Sequence, residues 1–308
     1  MNQKLIIGIP NGSLIDPKRG GLKEILNKAR IYCKNLGSNA PAEITNIPWL
    51  EVIVQRPQEL PWLAAKGYCD VFFCGDDWVK EWELRGYKNK KLIGLGIGKV
   101  DIVVATKEGK KYWRIAASEY PFIAKEFLET TFSTKDIQII RYGEPIKSNY
   151  VVIDSAGTTE PKVVYGLADI VIENTQTGTT LKNYGLIKLE KLFSSECSYY
   201  INEKVSDRWK IKKAERIAMM LEGVINSTEK DLVTFNVKNE DFEKVLNYIR
   251  KNKLFGGEET VVKGEKMSEI TLELPTTSRE KPLIDIIADL KELGASSIEG
   301  IPLSYSVR

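Results

Sequence analysis

Short apolar runs and amphipathic segments alternate along the first part of the chain. The runs at residues 4–10, 52–54, 70–74 and 92–104 are predicted as strands, and the last is either a strand pair or one strand broken by glycines. Residues 22–36 have the apolar spacing of an amphipathic helix, and residues 60–66 are also predicted as helical. This alternation predicts an α/β fold, in which ligands bind at the carboxyl ends of the strands.

The alternation starts again near residue 102 and predicts a second lobe. It contains a helix at 123–129, a strand at 137–141, a long and irregular segment at 143–153, and a strand from residue 170 that leads into a helix from about residue 181. Strands within residues 185–201 are expected to return to the first lobe. The predicted first lobe is therefore residues 1–102 with 183–206, and the second lobe is residues 103–182. Two crossings between the lobes would leave a cleft.

The pattern changes after a predicted helix at residues 206–225, which belongs to a connecting segment at 207–229. A strand at 232–237, a helix at 240–251, strands at 259–262 and 270–274, a helix at 282–293 and a strand at 298–303 follow. This order predicts a ferredoxin-like domain at residues 230–308. Such a domain suits either ligand-dependent regulation or assembly, and the fold alone does not decide between them.

Composition excludes several classes of function. The 308 residues include 45 basic and 42 acidic side chains, so no nucleic-acid partner is expected. Neither a signal peptide nor a membrane span is found, and Cys69 and Cys74 flank a predicted buried strand, so we expect a cytoplasmic protein with no membrane partner. The chain has no histidine, which leaves acid–base chemistry to Asp, Glu, Lys or Tyr.

The most informative stretch is I-V-I-E-N-T-Q-T-G-T-T-L at residues 170–181. An apolar strand runs into an acidic residue and then into a turn that contains four threonines and Gly178. Unpaired N–H groups and the dipole at a helix start favour a phosphate there, and a glycine allows the ligand to approach the backbone. The pattern alone is equally compatible with an ordinary threonine-rich turn before a helix.

Several segments together resemble those of the ATP phosphoribosyltransferase family, which begins histidine biosynthesis. The phrase A-D-I-V-I-E-N-T-Q-T-G-T-T-L at 168–181 resembles the family's loop for 5-phosphoribosyl 1-pyrophosphate (PRPP). The other matches occur in the family's order: I-P-N-G-S-L at 9–14, R-P-Q-E-L-P at 56–61, C-G-D-D-W-V at 74–79, G-L-G-I-G-K-V at 94–100, R-I-A-A-S-E-Y-P at 114–121, G-T-T-E-P-K-V at 157–163 and L-G-A-S-S-I-E-G-I-P-L at 293–303. The ordered set covers nearly the whole chain.

The resemblance implies an α/β fold with a two-lobed, periplasmic-binding-protein-like catalytic part and a C-terminal ferredoxin-like (ACT-like) regulatory domain. The implied reaction joins N1 of the ATP adenine to C1 of PRPP and releases pyrophosphate. Many members have arginine where this chain has Ser13, so a catalytically weak regulatory paralogue stays open. A two-lobed small-molecule binding protein, which has a similar architecture, is the other alternative.

The resemblance also implies roles for individual residues. The expected catalytic residues are Arg56 for the diphosphate, Glu160 near the adenine, and Lys162. The residues expected to bind PRPP are Glu173, for the ribose hydroxyls, and Asn174, Thr175, Gln176, Thr177, Gly178, Thr179 and Thr180. The residues expected to bind ATP are Asn11, Gly12, Ser13, Gly75, Asp76 and Asp77.

Cofactors and partners follow from the same resemblance. Mg²⁺ is expected as cofactor and to arrive with the diphosphate of PRPP, although Gly75, Asp76 and Asp77 would also suit the shell of a Mg²⁺ ion. Asp77 is also expected as the N-cap of the helix that follows it, and the two roles are compatible. Further basic contacts to phosphate are expected from Lys18, Arg19 or Lys99. Histidine is the expected inhibitor, a homo-oligomer between dimer and hexamer is the expected assembly, and the candidate effector residues are Thr260, Val261 and Thr276.

Overall fold

The computed structural model describes residues 3–18, 20–38, 40–141, 143–254, 260–277 and 281–307. The chain folds into two compact units, Met1–Ala218 and Met219–Arg308. Within the described residues, no helix is long and apolar enough to cross a membrane.

The first unit contains two α/β lobes. Its strands are β1 (Leu5–Pro10), β2 (Cys33–Lys34), β3 (Glu43–Ile44), β4 (Leu50–Gln55), β5 (Val71–Gly75), β6 (Asn89–Gly94), β7 (Val100–Lys107), β8 (Ile115–Ser118), β9 (Ile137–Ile140), β10 (Tyr150–Asp154), β11 (Ile170–Thr175), β12 (Leu186–Ser195) and β13 (Cys197–Asn202). Its helices are α1 (Leu22–Lys28), α2 (Leu60–Ala65), α3 (Asp76–Leu84), α4 (Pro121–Phe132), α5 (Glu160–Val164) and α6 (Thr179–Asn183), and α7 (Arg208–Asn226) contains the boundary with the second unit.

The first lobe is built on a five-stranded sheet in the order β4-β1-β5-β13-β6. Strands β1, β4 and β5 are parallel, and β13 is antiparallel to both of its neighbours. The prediction of a strand at residues 4–10 is confirmed. The predicted helix at 22–36 is too long, because α1 ends at Lys28 and Arg30 adopts a φ of 60° that a right-handed helix does not allow.

The second lobe is built on a six-stranded sheet in the order β12-β7-β11-β8-β10-β9. The irregular segment predicted at 143–153 ends in β10, which pairs in parallel with β8 and β9, so a strand was missed there. The predicted return of residues 185–201 to the first lobe is wrong for β12, which pairs with β7 in the second sheet. Only β13 returns, and the second crossing therefore lies between Ser195 and Cys197.

The two crossings are bonded to each other. Residues 95–99 separate β6 from β7, which lie in different sheets, so the predicted segment at 92–104 is neither one long strand nor two strands paired with each other. The Leu95 N–H donates to the Cys197 carbonyl at 2.9 Å, and the Cys197 N–H donates to the Ile97 carbonyl at 2.9 Å. A second link joins α3 to α4: the carboxylate of Glu81, fully buried, accepts the backbone N–H groups of Phe122 and Ile123.

The second unit has the predicted ferredoxin-like order. Its elements are β14 (Lys230–Lys238), α8 (Phe242–Lys251), β15 (Thr260–Lys263), β16 (Met267–Pro275), α9 (Leu283–Glu292) and β17 (Ala295–Pro302). The antiparallel sheet has the order β15-β16-β14-β17. Residue 259, which was included in a predicted strand, lies outside the described residues.

Alternation along β14 explains how this unit forms its core. Val233, Phe235 and Val237 are buried and pack against α8 and α9, whereas the residues between them are partly exposed. Complete burial of a side chain such as Phe235 contributes about 1.5–3 kcal/mol to stability. The apolar stripe of α8, which includes Val245 and Ile249, was readable from its helical spacing.

Candidate functional site

A cavity of about 540 Å³ lies between the two lobes of the first unit. The ends of β1 and β5 contribute to it from the first lobe, and the ends of β8 and β11 from the second. This position agrees with the expectation that ligands bind at the carboxyl ends of the strands. The lining residues are Ser13, Leu14, Pro57, Gly75, Asp77, Trp78, Gly98, Lys99, Val100, Tyr120, Asn174, Thr175, Gln176, Thr177, Thr179, Thr180 and Ser195.

The loop after β11 forms the polar side of this cavity. Gly178 has a φ of 73°, a left-handed conformation that favours glycine, and α6 begins at the next residue. The Gly178 N–H donates to the hydroxyl of Thr175 at 2.9 Å, and the hydroxyls of Thr177 and Thr179 are 2.7 Å apart. The loop therefore collects hydroxyl groups beside the first N–H groups of a helix, which lack helical acceptors.

Glu173 precedes this loop but is buried. Its Oε2 accepts the Thr159 hydroxyl at 2.7 Å, and its Oε1 accepts the Asn174 N–H at 3.0 Å. Burial and, to a smaller extent, the nearby charges of Glu119 and Glu160 raise the pKa of Glu173 to about 8, while the bonds from Thr159 and Asn174 oppose that shift. This carboxyl is consequently mostly protonated at pH 7 in the absence of a ligand.

Glu160 and Lys162 lie on α5, and neither is among the described residues that line the cavity. The Nζ of Lys162 donates to the carbonyl of Thr158 at 2.9 Å, so this buried side chain holds the turn before its own helix. Glu160 lies 3.3 Å from the Thr159 hydroxyl, which joins it to Glu173. The predicted catalytic pair therefore lies at the turn that begins α5, where the half-buried Glu160 is linked through Thr159 to the buried carboxyl of Glu173.

Residues at the ends of β1 and β4 meet the same edge of the first lobe. Arg56 is exposed and directly follows β4, next to Pro57, which lines the cavity. The side chain of Asn11 accepts the Gly12 N–H at 2.8 Å, and Ser13 lines the cavity. Of the further basic candidates, Lys99 lines the cavity and Lys18 is exposed, whereas residue 19 lies outside the described residues.

The acidic pair at the start of α3 is already bonded within the protein. Asp76 accepts hydrogen bonds from Lys91 and the Tyr200 hydroxyl, and it lines a neighbouring cavity of about 500 Å³. The idea that Asp77 caps α3 is wrong, because the helix begins at Asp76 and Gly75 is its N-cap residue. A Cβ at Gly75 would lie 2.2 Å from Oδ1 of Asp77, so a larger residue here would have to displace that carboxylate.

Asp77 joins the two lobes beneath the cavity. Its Oδ1 accepts the Ser195 hydroxyl at 2.9 Å, and its Oδ2 accepts the Tyr120 hydroxyl at 2.6 Å. Burial raises the pKa of Asp77, and the bonds from Tyr120 and Ser195 oppose that shift. With both oxygens bonded to hydroxyls, Asp77 does not suit direct coordination of Mg²⁺.

A protein cage for a metal ion is not found in the described part of the chain, where no group of three or more Cys, Asp or Glu side chains is arranged to hold one.

The sequence did not indicate several of the lining residues, among them Tyr120, Trp78 and Ser195. Tyr120 lies two residues after β8, and its position after an apolar strand and before Pro121 was the available signal. Ser195 carried no local signal, because its role depends on β12 ending at the second crossing.

The candidate effector residues of the second unit are not brought together. Val261 packs against the core of the unit, and the Thr276 N–H donates to the carbonyl of Glu229 at 2.7 Å. Thr260 pairs with Thr271 on β16, five residues before Thr276. At about 3.4 Å per residue, the two threonines are separated by roughly 17 Å along the strand direction.

Comparisons with known proteins agree on one family. The family model described as HisG: ATP phosphoribosyltransferase matches residues 56–223, more than half of the chain. A protein of Ignicoccus hospitalis named ATP phosphoribosyltransferase is 30% identical over 288 residues, which cover 92% of this chain and 95% of the relative. A protein of the same name from Methanopyrus kandleri is 28% identical over 317 residues, which cover 98% of this chain and 99% of the relative.

Among solved structures, the chain is similar to the ATP phosphoribosyl transferase (HisG:HisZ) complex from Thermotoga maritima. The TM-score is 0.58 at 22% identity, and the match covers 72% of this chain and 98% of that one. At this identity the similarity concerns the fold.

Proposed function

This chain belongs to the ATP phosphoribosyltransferase family, and on that premise we propose that it joins N1 of the ATP adenine to C1 of PRPP and releases pyrophosphate. As a pentosyltransferase it has to hold two phosphorylated substrates in one cleft. The observation that carries the proposal is the threonine loop at residues 174–180, which leads into α6. It lines a cavity between the two lobes, at the carboxyl ends of their strands.

The loop is the proposed site of the 5′-phosphate of PRPP. The hydroxyls of Thr177, Thr179 and Thr180 lie along the cavity, and the N–H groups that start α6 add donors. Glu173 is the proposed partner of the ribose hydroxyls. A ribose hydroxyl would then replace the Thr159 hydroxyl, which now occupies one oxygen of this carboxyl.

The reaction needs alignment more than a strong base. N1 of adenine is already a free nucleophile and pyrophosphate is a good leaving group, so catalysis can rest on positioning and on neutralising phosphate charge. Arg56 is proposed to bind the diphosphate, since a guanidinium can donate two parallel hydrogen bonds. The exposed amine of Lys99, which lines the cavity, is a second candidate for this charge.

ATP is proposed to bind on the first-lobe side, at Ser13, Gly75 and Asp77, which line the cavity, and at Asp76, which lines the neighbouring one. Glu160 and Lys162 are proposed to shape the adenine side through the turn that they hold. Mg²⁺ is proposed to arrive bound to the diphosphate, because the acidic side chains of α3 already have partners within the protein.

The second unit is proposed to bind histidine and to inhibit the reaction, in a homo-oligomer. What supports this proposal is that the ferredoxin-like sheet belongs to a small compact unit of its own. A domain used for assembly alone remains the competing hypothesis.

The loop is tested by the double substitution Thr177→Val and Thr180→Val. If both hydroxyls bind the phosphate, each lost hydrogen bond to a charged group should cost about 1.5–3 kcal/mol of PRPP binding. Thr130→Val is the matched control, because the Thr130 hydroxyl bonds within α4, to the Glu126 carbonyl, and lies outside the cavity lining given above. PRPP kinetics equal to the wild type in a folded double variant would show that the loop is only a turn.

A further inference from the structure

One buried hydroxyl connects the first lobe to the start of the threonine loop at residues 174–180. The Tyr120 hydroxyl donates to Oδ2 of Asp77 at 2.6 Å and accepts from Nδ2 of Asn174 at 2.8 Å. Asp77 belongs to α3 of the first lobe, whereas Asn174 lies in β11 of the second lobe, one residue before Thr175. Tyr120 itself is fully buried, two residues after the end of β8 and directly before α4.

The neighbouring bonds determine which group donates. The Ser195 oxygen accepts the Asp77 N–H at 3.0 Å, so the Ser195 proton is free to point at Oδ1 of Asp77. Oδ2 accepts the proton of Tyr120. With its proton used in this way, the Tyr120 oxygen can only accept from Asn174, and the amide must present its NH₂ group.

The ring of Tyr120 is held independently of this hydroxyl. It packs against Trp78 with a centroid separation of 4.4 Å, and the Tyr120 N–H donates to the Ser118 hydroxyl at 2.9 Å. Removing the oxygen alone should therefore leave the ring in place. The effect of the hydroxyl can then be separated from the effect of packing.

We propose that Tyr120 is a positioning residue for PRPP: its hydroxyl fixes the amide of Asn174 relative to Asp77 and so sets the start of the phosphate loop. The proposal rests on the proposed function, in that the loop is taken to bind PRPP. Tyr120 does not need to touch the substrate for this effect, since it acts through Asn174.

The test compares Tyr120→Phe with Tyr199→Phe. Tyr199, in β13, is a suitable control because it is fully buried like Tyr120, and its hydroxyl has no hydrogen-bond partner among the described residues. For Tyr120→Phe we expect the KM and the calorimetric Kd for PRPP to rise about tenfold or more, equivalent to about 1.4 kcal/mol, and the KM for ATP to rise by a smaller factor, through the bond lost to Asp77. Tyr199→Phe should leave both KM values close to those of the wild type.

Asn174→Ala provides the second arm and does not depend on Tyr120→Phe folding, because Asn174 is exposed. If Tyr120 acts through Asn174, the double variant should bind PRPP no more weakly than Asn174→Ala alone. Additive losses, an unchanged PRPP Kd in Tyr120→Phe, or equal losses for PRPP and ATP would each overturn the proposal.

The outcome for the proposed function is read separately. A wild type that binds PRPP but does not turn over would refute the transferase reaction, and the calorimetric comparison would still decide the role of Tyr120. A wild type that turns over normally, with a Tyr120→Phe variant of unchanged PRPP affinity, would refute the positioning role alone.

Discussion

Replacing Glu173 with glutamine should change how the stability of the protein depends on pH. The carboxyl accepts the Asn174 N–H with Oε1 and lies 2.7 Å from the Thr159 hydroxyl with Oε2. In the protonated form the second contact reverses, and Glu173 donates to Thr159. Glutamine reproduces that form, since its carbonyl accepts from the Asn174 N–H and its NH₂ group donates to Thr159.

The magnitude follows from the shift in pKa. Burial, with smaller effects from Glu119 and Glu160, raises the pKa of Glu173 from 4.5 to about 8 in the folded chain. The pKa is roughly 3.5 higher in the folded chain than in the unfolded chain. At about 1.36 kcal/mol for each pKa unit, this corresponds to on the order of 5 kcal/mol in the free energy of unfolding. Because the folded pKa is the higher one, this contribution is fully present below about pH 4.5 and is lost as the pH rises through about 8.

The assay is chemical denaturation of wild type and Glu173→Gln at pH 5, 6.5 and 8 in the same salt. The variant should have nearly the wild-type free energy of unfolding at pH 5 and become progressively more stable than the wild type, with a difference of a few kcal/mol at pH 8. Glu126→Gln, which removes an exposed ion pair with Lys80, is the control and should shift stability by less than about 1 kcal/mol. A pH-independent difference between wild type and Glu173→Gln would refute the reasoning, as would a smaller difference at pH 8 than at pH 5.

Two further outcomes are expected from ligand experiments. EDTA should abolish turnover but leave the melting temperature of the ligand-free protein nearly unchanged, because Mg²⁺ is proposed to arrive with the diphosphate; a large loss of stability would point to a structural metal. L-Histidine should release or absorb heat in calorimetry and inhibit turnover, with a coupling of about 1–3 kcal/mol, whereas D-histidine should do neither. No heat and no inhibition by L-histidine at millimolar concentration would leave the second unit as an assembly domain.

Local patterns along the sequence predicted those parts of the fold that local patterns control. The alternation in β14 and the helical spacing in α8 identified the ferredoxin-like unit, and the apolar run before the threonines identified β11. The length of α1 was overestimated, because the apolar spacing continues past Lys28, whereas the left-handed φ of Arg30 does not allow the helix to continue. The membership of β12 in the second sheet depends on pairing with β7, some ninety residues earlier, which no local pattern encodes.

The candidate site divides in the same way. The loop at residues 174–180 was predicted because one contiguous segment carries all the threonine hydroxyls that it contributes to the cavity. The bonds of Asp77 to Tyr120 and Ser195 join segments from three places in the chain, so the sequence indicated at most one partner at a time. Burial of Glu173, and with it the raised pKa, likewise follows from packing between β11 and the turn before α5.

We propose that this chain is an active ATP phosphoribosyltransferase, and the most direct test is to measure pyrophosphate release together with the mass of the nucleotide product. The wild-type protein should release pyrophosphate only when ATP, PRPP and Mg²⁺ are all present, and an equal amount of ATP should gain one phosphoribosyl group. Pyrophosphate release that does not depend on ATP, or the absence of a phosphoribosylated nucleotide with folded protein and both substrates, would contradict the account.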